Sequence, residues 1–347
     1  MSSLAADQPA EAAPPRPRGP LAFQLLRLVR PVQWAKSVFC LIGPVFYLAD
    51  HPDKPVDSVL VPALIAAAVF ALASSACYVM NDLVDAEQDR QHPRKRRRPI
   101  ASGAVSPNAA RILAAALVIG AGALLLLLPS GVARWWVGSL VLLYILTTTA
   151  YSYGLKHIII ADVVCLSSGF VIRVIAGCTA IAIFPSTWLL NCTLFLAMFL
   201  AFGKRLGERR TLGDDAAKAR VVQEKYTDEF LRMAVVVTGV ATLFGYAGYV
   251  QAREGKFSAA AQSLGLSDGG VNILWLTMLP ATYALLRCIV QVERGRYDDP
   301  TELAVRDRPF QLACLIFAAI TAIALWAVPG AKATITPHAP APAVTAH

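Results

Sequence analysis

The sequence predicts an all-α, polytopic membrane protein, a bundle of about nine transmembrane helices. Hydrophobic residues make up 56% of the 347-residue chain, and its mean hydropathy is +0.54, well above that of a typical soluble protein. Apolar stretches long enough to cross a bilayer recur along the chain. Lys and Arg concentrate in alternate connecting segments, as they do in multi-pass membrane proteins.

The predicted helices form one domain between two tails. Residues 1–20 are rich in Ala and Pro and are predicted to be a disordered tail, and residues 21–30 form a short amphipathic segment suited to the membrane interface. The domain covers residues 21–330, and residues 331–347, rich in Pro, Ala and Thr, form a second disordered tail. The spans are expected near 37–49, 57–81, 108–128, 134–152, 159–182, 186–203, 230–250, 271–291 and 309–328.

The distribution of basic residues predicts the orientation. With the N-terminus in the cytoplasm, most of the 32 Lys and Arg fall in cytoplasmic segments, and Arg173 lies within a span. The outer loops and the C-terminal tail hold only Lys54, Arg134, Arg253, Lys256 and Lys332. We therefore expect a protein of the cell membrane (inner or plasma membrane) with its charged motifs on the cytoplasmic side. The net charge of +9 fits anionic lipid and substrate better than nucleic acid, which we do not expect as a partner.

An acidic motif closes the second span. Asn81, Asp85 and Asp89 are four residues apart, so on a helix their oxygen atoms stack along one face, and Asp82 lies beside them. Carboxylates this close repel one another unless a cation lies among them. Hard oxygen ligands at this spacing suit Mg²⁺, which completes its shell with water and phosphate oxygens. The motif predicts metal ligands at Asn81, Asp85 and Asp89 and catalytic roles for Asp82, Asp85 and Asp89.

Five consecutive cations follow the acidic motif at residues 94–98, and Lys95 and Arg98 are candidate phosphate contacts. A solvated topology signal explains the same run equally well. Other candidates for substrate binding lie in the remaining segments on the same side of the membrane. They are Gln33 and Lys36 before the first span, Tyr151 and Lys156 after the fourth, Asp162 and Arg173 on the fifth, and Lys204 and Arg205 after the sixth.

Alternatives remain open for several of these residues. Lys36 has the position of an interfacial lysine whose amine reaches out to water. Asp162 and Arg173 are three helical turns apart and either pair with each other or line a polar pocket. Asp214 and Asp215 are more typical of a solvated loop than of a second metal site, because adjacent helical residues point about 100° apart. The seven cysteines lie in apolar spans and are read as buried free thiols.

The motif Asn-Asp-x-x-Asp-x-x-x-Asp at residues 81–89, closing the second of about nine spans, resembles the first acidic motif of the UbiA-type intramembrane prenyltransferase superfamily. The resemblance covers roughly residues 30–329. It implies a helical bundle around a central cavity, with Mg²⁺-bound diphosphate at a cytoplasmic mouth. Those prenyltransferases carry a second Asp-x-x-x-Asp motif after span six, whereas this chain has Gly203, Lys204 and Arg205 near that place.

This departure is typical of one branch, the decaprenyl-phosphate 5-phosphoribosyltransferases, which the segments 30–36, 92–100, 151–156 and 303–308 also resemble. The resemblance implies transfer of a 5-phosphoribosyl group from 5-phosphoribosyl diphosphate to a polyprenyl phosphate, for cell-wall arabinan precursors. It implies Mg²⁺ as the cofactor and leaves the oligomeric state open, a homo-oligomer included.

The alternative enzyme is a UbiA-type prenyltransferase that moves a prenyl group from a prenyl diphosphate to an aromatic acceptor. The missing second acidic motif argues against it. The alternative outside the enzymes is a transporter or a membrane scaffold. Transporters often show paired repeats and broken helices, and inspection of the sequence finds neither.

Overall fold

The computed structural model describes residues 19–91, 95–129, 131–212, 226–254, 272–296 and 303–333. Within these ranges the chain is helical and contains no strand, and nine segments are long and apolar enough to cross a membrane, which confirms the predicted class. The two predicted tails fall mostly outside the described residues. Arg94, Asp214, Asp215 and residues 297–302 also lie outside them.

The helices of the described ranges are numbered α1 to α12 in chain order. They are α1 (Leu21–Val29), α2 (Phe39–Asp50), α3 (Val56–Val84), α4 (Ala86–Gln91), α5 (Pro107–Leu125), α6 (Val132–Tyr153), α7 (Ala161–Ala180), α8 (Thr187–Leu212), α9 (Asp228–Gln251), α10 (Met278–Glu293), α11 (Leu303–Arg306) and α12 (Arg308–Ala333). Short 3₁₀ segments precede α2 and α10, at Pro31–Val38 and Ile273–Thr277.

The first span begins earlier than residue 37. The amphipathic segment forms α1, and Arg30 then adopts a left-handed backbone conformation with φ of 54°. Pro31 starts a 3₁₀ run that leads directly into α2, because a proline suits the first position of a helix, where its missing N–H is not needed. The first span therefore extends back through Gln33, and the left-handed turn directs the Arg30 side chain toward α3.

Helices α3 and α7 form the centre of the bundle and are the most deeply buried of the described spans. Their side chains join those of α2, α5 and α6 in one apolar core, and α7 to α10 share a second. Helices α2 and α7 pack very closely at Gly177, where a Cβ atom would lie 1.7 Å from the Cys40 carbonyl oxygen. Only glycine fits this contact, and α12 packs back against α2 to close the bundle.

The charged motifs gather where α3, α6 and α8 end and α5, α7 and α9 begin. We call this the polar end of the bundle, marked by Val84, Tyr153 and Leu212, the last residues of those three helices. The cytoplasmic orientation of this end stays a prediction.

Candidate active site

The helical turn continues beyond the end of α3, so the acidic motif keeps its predicted spacing. Although α3 ends at Val84, the Asp85 N–H donates to the Asn81 carbonyl at 2.9 Å, and the Asp89 N–H donates to the Asp85 carbonyl at 2.8 Å. These i to i−4 hydrogen bonds are those of an α-helix. Asn81, Asp85 and Asp89 therefore follow one another by one helical turn through the α3–α4 junction.

The carboxylates of the motif are paired with cations. Asp82 is buried and binds Arg30 at 2.6 Å and Arg98 at 3.0 Å, and Arg98 also donates to Asp89 at 2.7 Å. Arg98, predicted to bind phosphate, thus bridges two carboxylates seven residues apart on one face. Burial raises the pKa of Asp89 above its ordinary value, and the Arg98 guanidinium offsets only part of that effect.

Lys156 is the cation next to Asp85. Its Nζ lies 2.8 Å from Asp85 Oδ1, and both side chains are about one-fifth exposed to solvent. This pair joins the 3₁₀ turn after α6 to the end of α3 across 71 residues of sequence. Because both side chains remain accessible, the pair can open to admit a ligand at modest cost.

A cavity of about 320 Å³ lies beside the acidic motif. Most of its wall is apolar, and we call it the polar cavity for the charged and hydroxyl side chains that line the rest. Its walls come from the Pro31–Val38 segment, from the start of α2 and from α3, α6, α7 and α8. The predicted site residues that line it are Gln33, Lys36, Asn81, Tyr151, Arg173 and Lys204. Side chains that are far apart in the sequence therefore line the same cavity.

Arg173 lies at the cavity wall, buried in α7, and its described partners are all neutral. One terminal nitrogen donates to Ser74 Oγ at 2.7 Å and to Tyr144 Oη at 3.1 Å, and the other donates to the Gly169 carbonyl at 2.8 Å. The guanidinium carbon is 4.5 Å from the Tyr144 ring centroid, and Nε is buried without a hydrogen-bond partner. A buried cation without a carboxylate partner attracts an anionic ligand.

Asp162 and Arg205 pair with each other, away from the cavity. Arg205 Nε donates to Asp162 Oδ2 at 3.2 Å, and Tyr226 Oη donates to Oδ1 at 2.5 Å. Both side chains of the ion pair are almost fully buried, and neither lines the cavity. The open alternative of an Asp162–Arg173 pair is wrong, because α8 supplies a closer cation. Arg205 follows Lys204 on α8, so the two point about 100° apart and only Lys204 lines the cavity.

Lys95 lies outside the cavity in a short 3₁₀ turn, where it is partly exposed. It lies near Asp89, and its positive charge offsets part of the rise in the pKa of the Asp89 carboxyl group.

The donor set around Asn81 fits Mg²⁺. Within the described residues, no three His, Cys, Asp or Glu side chains are close enough to hold a metal by themselves. Asn81 Oδ1, however, is buried without a hydrogen-bond partner, and Asp85 lies one turn further on. Mg²⁺ commonly takes one or two protein oxygens and fills its shell with phosphate and water. Donation by Asp89 requires that Arg98 release its carboxylate.

Several residues of the site were not among the candidates from the sequence. Arg30, Ser74, Tyr78 and Tyr144 contact the predicted residues or line the cavity. Helical spacing carries a signal for some of them, because positions 74, 78 and 81 share one face of α3 and positions 144, 148 and 151 share one face of α6. Nothing in the spacing predicts Arg30, whose contact depends on a left-handed turn.

A helical bundle with spans long and apolar enough to cross a membrane, and with cations lining a cavity beside an acidic motif, has the architecture of an integral membrane protein. The model of the UbiA prenyltransferase family matches residues 37–315, and the chain belongs to that family.

Curated relatives agree with this assignment. Over 308 residues the chain is 34% identical to "Decaprenyl-phosphate phosphoribosyltransferase" of Mycolicibacterium smegmatis, covering 88% of this chain and 92% of the relative. It is 32% identical over 311 residues to the protein of the same name from Corynebacterium glutamicum, covering 89% of each.

Solved structures show the same fold. A UbiA homolog from Archaeoglobus fulgidus bound to GPP and Mg²⁺ matches with a TM-score of 0.59 and 15% identity, covering 88% of this chain and 99% of that one. A digeranylgeranylglyceryl phosphate synthase matches with a TM-score of 0.52 and 16% identity, covering 90% of this chain and 98% of that one.

Proposed function

We propose that this protein transfers a 5-phosphoribosyl group from 5-phosphoribosyl diphosphate to a polyprenyl phosphate, decaprenyl phosphate in particular, and releases diphosphate. The similarity to relatives named decaprenyl-phosphate phosphoribosyltransferase supports the activity. The structural observation that carries the proposal is Arg173, a buried cation at the cavity with only neutral described partners. It is suited to one of the three anionic units that this reaction brings together, which are the diphosphate, the 5-phosphate and the acceptor phosphate.

The balance of charge around the cavity favours this reaction. A ribosyl donor brings a diphosphate and a 5-phosphate, and the acceptor brings a further phosphate, so the site needs one metal and an excess of cations. The cavity has one acidic motif beside it and Lys36, Arg173 and Lys204 in its walls. A prenyl diphosphate reacting with a neutral aromatic needs fewer cations, and the sequence has no second acidic motif after the sixth span.

The chemistry requires orientation of two anions more than it requires proton transfer. The bond between the anomeric carbon and the diphosphate oxygen breaks, and a bond to an acceptor phosphate oxygen forms on the opposite face, inverting that carbon. Positive charge develops on the ribose in between, as in other glycosyl transfers. A phosphate monoester has a second pKa of about 6, so the nucleophile is already an anion at neutral pH and no general base is needed.

The acidic motif is proposed to hold Mg²⁺ through Asn81, Asp85 and Asp89, with Asp82 in support. The ion supplies charge that stabilises the leaving diphosphate. Lys156, now bound to Asp85, is positioned to move from the carboxylate to an arriving phosphate oxygen. Lys36, Arg173 and Lys204 hold the remaining phosphates and reduce the repulsion between donor and acceptor. The contacts of Arg30 and Arg98 with Asp82 fix the position of the motif when Arg98 releases Asp89 to the ion.

The site is proposed to face the cytoplasm, with the N-terminus on the same side of the plasma membrane. The excess of Lys and Arg in the segments at the polar end supports this orientation. A soluble sugar diphosphate donor then enters from the cytoplasm while the lipid acceptor comes from the bilayer. The product is proposed to supply precursors of cell-wall arabinan, as the family resemblance implies.

The test uses purified protein in liposomes with two labelled donors. We expect label from 5-phosphoribosyl diphosphate to enter the lipid fraction when polyprenyl phosphate and Mg²⁺ are present, and to remain in the aqueous phase with EDTA. Label from a prenyl diphosphate with an aromatic acceptor should not be transferred. The reverse pattern would establish the prenyltransferase instead, and transfer of neither label would contradict both enzymes.

A further inference from the structure

A strained turn connects the segment that carries Lys156 to α7. Ile160, the residue before α7, has φ of 68° and ψ of −45°, a conformation that is rare for a β-branched residue. The N–H of Ala161 donates to the Ile159 carbonyl, two residues back, at 2.8 Å. These angles and this bond are those of the γ-turn with positive φ, the rarer of the two kinds of γ-turn. Such a conformation costs free energy and persists only where surrounding contacts hold it.

Burial of the isoleucine side chain does not hold this turn, since Ile160 is 45% exposed. Its backbone is bound by Tyr226 instead. The Ile160 N–H donates to Tyr226 Oη at 2.9 Å, and the same hydroxyl donates to Asp162 Oδ1 at 2.5 Å. A single hydroxyl group therefore binds the central residue of the γ-turn and a carboxylate in the first turn of α7.

Tyr226 is itself firmly placed at the start of α9. It is only 2% exposed, and its carbonyl accepts a hydrogen bond from Arg209 Nη1 of α8 at 2.8 Å. Its ring stacks on that of Phe230, with centroids 5.6 Å apart and planes inclined by 21°. The hydroxyl of Tyr226 thus relates the backbone before α7 to the positions of α8 and α9.

The γ-turn lies next to the turn that presents Lys156. Lys156 is in the 3₁₀ turn Leu155–His157, and the Asp162 N–H donates to the carbonyl of Ile158, the residue after that turn, at 3.1 Å. On the α6 side the 3₁₀ turn follows Gly154, where a Cβ atom would meet nothing within 4 Å. Packing of a side chain therefore does not fix the 3₁₀ turn on the α6 side, whereas hydrogen bonds to α7 and Tyr226 hold the other side.

We propose that Tyr226 is a positioning residue for phosphoribosyl transfer. Its hydroxyl holds the γ-turn at Ile160, and the γ-turn holds Lys156 against Asp85, where the amine meets an arriving phosphate. Tyr226 does not line the polar cavity and acts on the reaction through this turn. The inference rests on the proposed function, in which Lys156 moves from Asp85 to a substrate phosphate.

Three substitutions separate the hydroxyl, the strain and the turn. Tyr226→Phe removes the hydroxyl and keeps the ring that stacks on Phe230. Ile160→Gly removes the strain, because glycine adopts positive φ readily. Ile158→Gly is the matched control, since Ile158 is 52% exposed in the same connection but has φ of −105° and ψ of 124°, an ordinary extended conformation.

The first measurement is kcat/KM for 5-phosphoribosyl diphosphate in liposomes that contain polyprenyl phosphate. Tyr226→Phe should lower it about tenfold, and adding Ile160→Gly should restore it to within about threefold of wild type, because the turn then forms without the hydroxyl. Adding Ile158→Gly should restore nothing. Neither glycine replaces the lost hydrogen bond to Asp162, so rescue by Ile160→Gly alone assigns the effect to the turn. Equal results for the two glycines would overturn the proposal.

A double-mutant cycle tests whether the effect passes through Lys156. In the Lys156→Ala background, Tyr226→Phe should lower kcat/KM by less than about twofold, because the amine that the turn positions is already gone. A further tenfold loss in that background would mean that Tyr226 supports the fold independently of Lys156, and the proposal would be wrong.

Chemical labelling follows the position of Lys156 without any turnover. Detergent-solubilised protein is treated briefly with acetic anhydride, and mass spectrometry gives the acetylation of Lys156 relative to that of the exposed Lys54. Tyr226→Phe should raise this ratio about threefold, because an amine released from its carboxylate is more accessible, and Ile160→Gly should reverse the rise. An unchanged ratio would overturn the proposal. If the wild type transfers no phosphoribosyl group, the proposed function is wrong, and the ratio still decides whether Tyr226 positions Lys156.

Hydrogen exchange in the wild type covers the case in which Tyr226→Phe does not fold. The amide groups of residues 158–162 should exchange at least about 100-fold more slowly than those of a synthetic peptide of the same sequence, because the turn is held by hydrogen bonds. Exchange as fast as in the peptide would show that Tyr226 does not hold the turn.

Discussion

Two buried arginines on neighbouring helices show how differently this molecule uses the same charge. Arg205 of α8 is bound to the Asp162 carboxylate, and Tyr226 completes a closed cluster between α7, α8 and the start of α9. Arg173 of α7 has only a serine, a tyrosine and a backbone carbonyl as described hydrogen-bond partners, and it borders the polar cavity. Burial alone does not distinguish them, whereas the charge of their partners does. The first arginine holds helices together, and the second is available to a ligand.

The same distinction applies to the carboxylates at the polar end. Asp82 is held by two arginines, whereas Asp89 shares one of them and Asp85 is held by one accessible lysine beside the unpartnered Asn81 oxygen. We therefore expect charges at the cavity to control turnover and charges in closed clusters to control stability. The following predictions test that separation, beginning with the largest expected effect.

The double variant Asp85→Ala/Asp89→Ala should lose phosphoribosyl transfer by about 10³-fold or more, because loss of a catalytic metal site removes several kcal/mol of stabilisation of the leaving group. Its thermal unfolding in detergent should stay within a few degrees of wild type, because Arg98 keeps its ion pair with Asp82 and Lys156 remains accessible to water. Glu87→Ala, on the exposed face of α4 between them, is the control and should remain active. A double variant that still turns over in EDTA would remove the metal site from the proposal.

Exchange of each arginine for methionine tests the central comparison. Arg205→Met should destabilise the fold by about 3–5 kcal/mol, because it leaves Asp162 buried and unpaired, and Asp162→Leu/Arg205→Met should recover much of that loss. Arg173→Met should keep its thermal stability and lose kcat/KM by about 100-fold, or about 2.7 kcal/mol, because a buried charge on substrate phosphate is removed. The comparison fails if Arg173→Met unfolds like Arg205→Met, or if Arg205→Met folds normally and loses only activity.

A smaller effect is expected at the rim of the cavity. Lys204→Ala should raise the KM for 5-phosphoribosyl diphosphate or acceptor about tenfold, equal to about 1.4 kcal/mol, with little change in stability. Lys54→Ala, an exposed lysine in the loop between α2 and α3, is the matched control and should have no effect. Steady-state kinetics with each substrate in turn measures the change. Unchanged kinetics would mean that Lys204 contributes only to the orientation of the protein in the membrane.

Local patterns in the sequence were enough to predict the nine spans found in the described part of the chain and the spacing of the acidic motif. The four-residue repeat of Asn81, Asp85 and Asp89 survives the end of α3, because the helical hydrogen bonds continue through it. The metal and substrate roles of these residues stay predictions. Helical spacing also placed Asp162 and Arg173 on one face of α7, but it could not predict which cation each would meet. Arg205 comes from α8, 43 residues beyond Asp162, and such pairings depend on how whole helices pack.

Arg30 and Arg98 illustrate the same limit at the acidic motif. Both approach Asp82, one from a left-handed turn after α1 and the other from the basic segment after α4. The sequence suggested phosphate binding for Arg98, because basic residues are common phosphate partners. It could not predict the contacts with carboxylates, because the geometry of a basic run is set only when the chain folds. Its double contact with Asp82 and Asp89 makes it a positioning residue in the present arrangement.

The smallest expected effect on turnover concerns Asp307, in a closed cluster before α12. Its carboxylate accepts hydrogen bonds from Arg287, from Gln291 and from the Phe310 N–H at the start of the helix. Hydrogen bonding from Arg287 holds the pKa of Asp307 below its ordinary value of 3.8. Asp307→Ala should therefore cost about 1–2 kcal/mol near neutral pH, since a helix cap and an ion pair are lost together.

The pH dependence of the stability lost in Asp307→Ala identifies the cause of that loss. A carboxylate whose pKa is lowered by folding stabilises the protein fully above its unfolded pKa, and the contribution disappears as the pH falls through the folded value. The difference in melting temperature between wild type and Asp307→Ala should be constant above about pH 5 and should narrow below pH 3.8. Turnover at neutral pH should be nearly unchanged. A difference that persists unchanged in strong acid would mean that Asp307 acts through packing, and a large loss of turnover would place this cluster with the charges of the cavity.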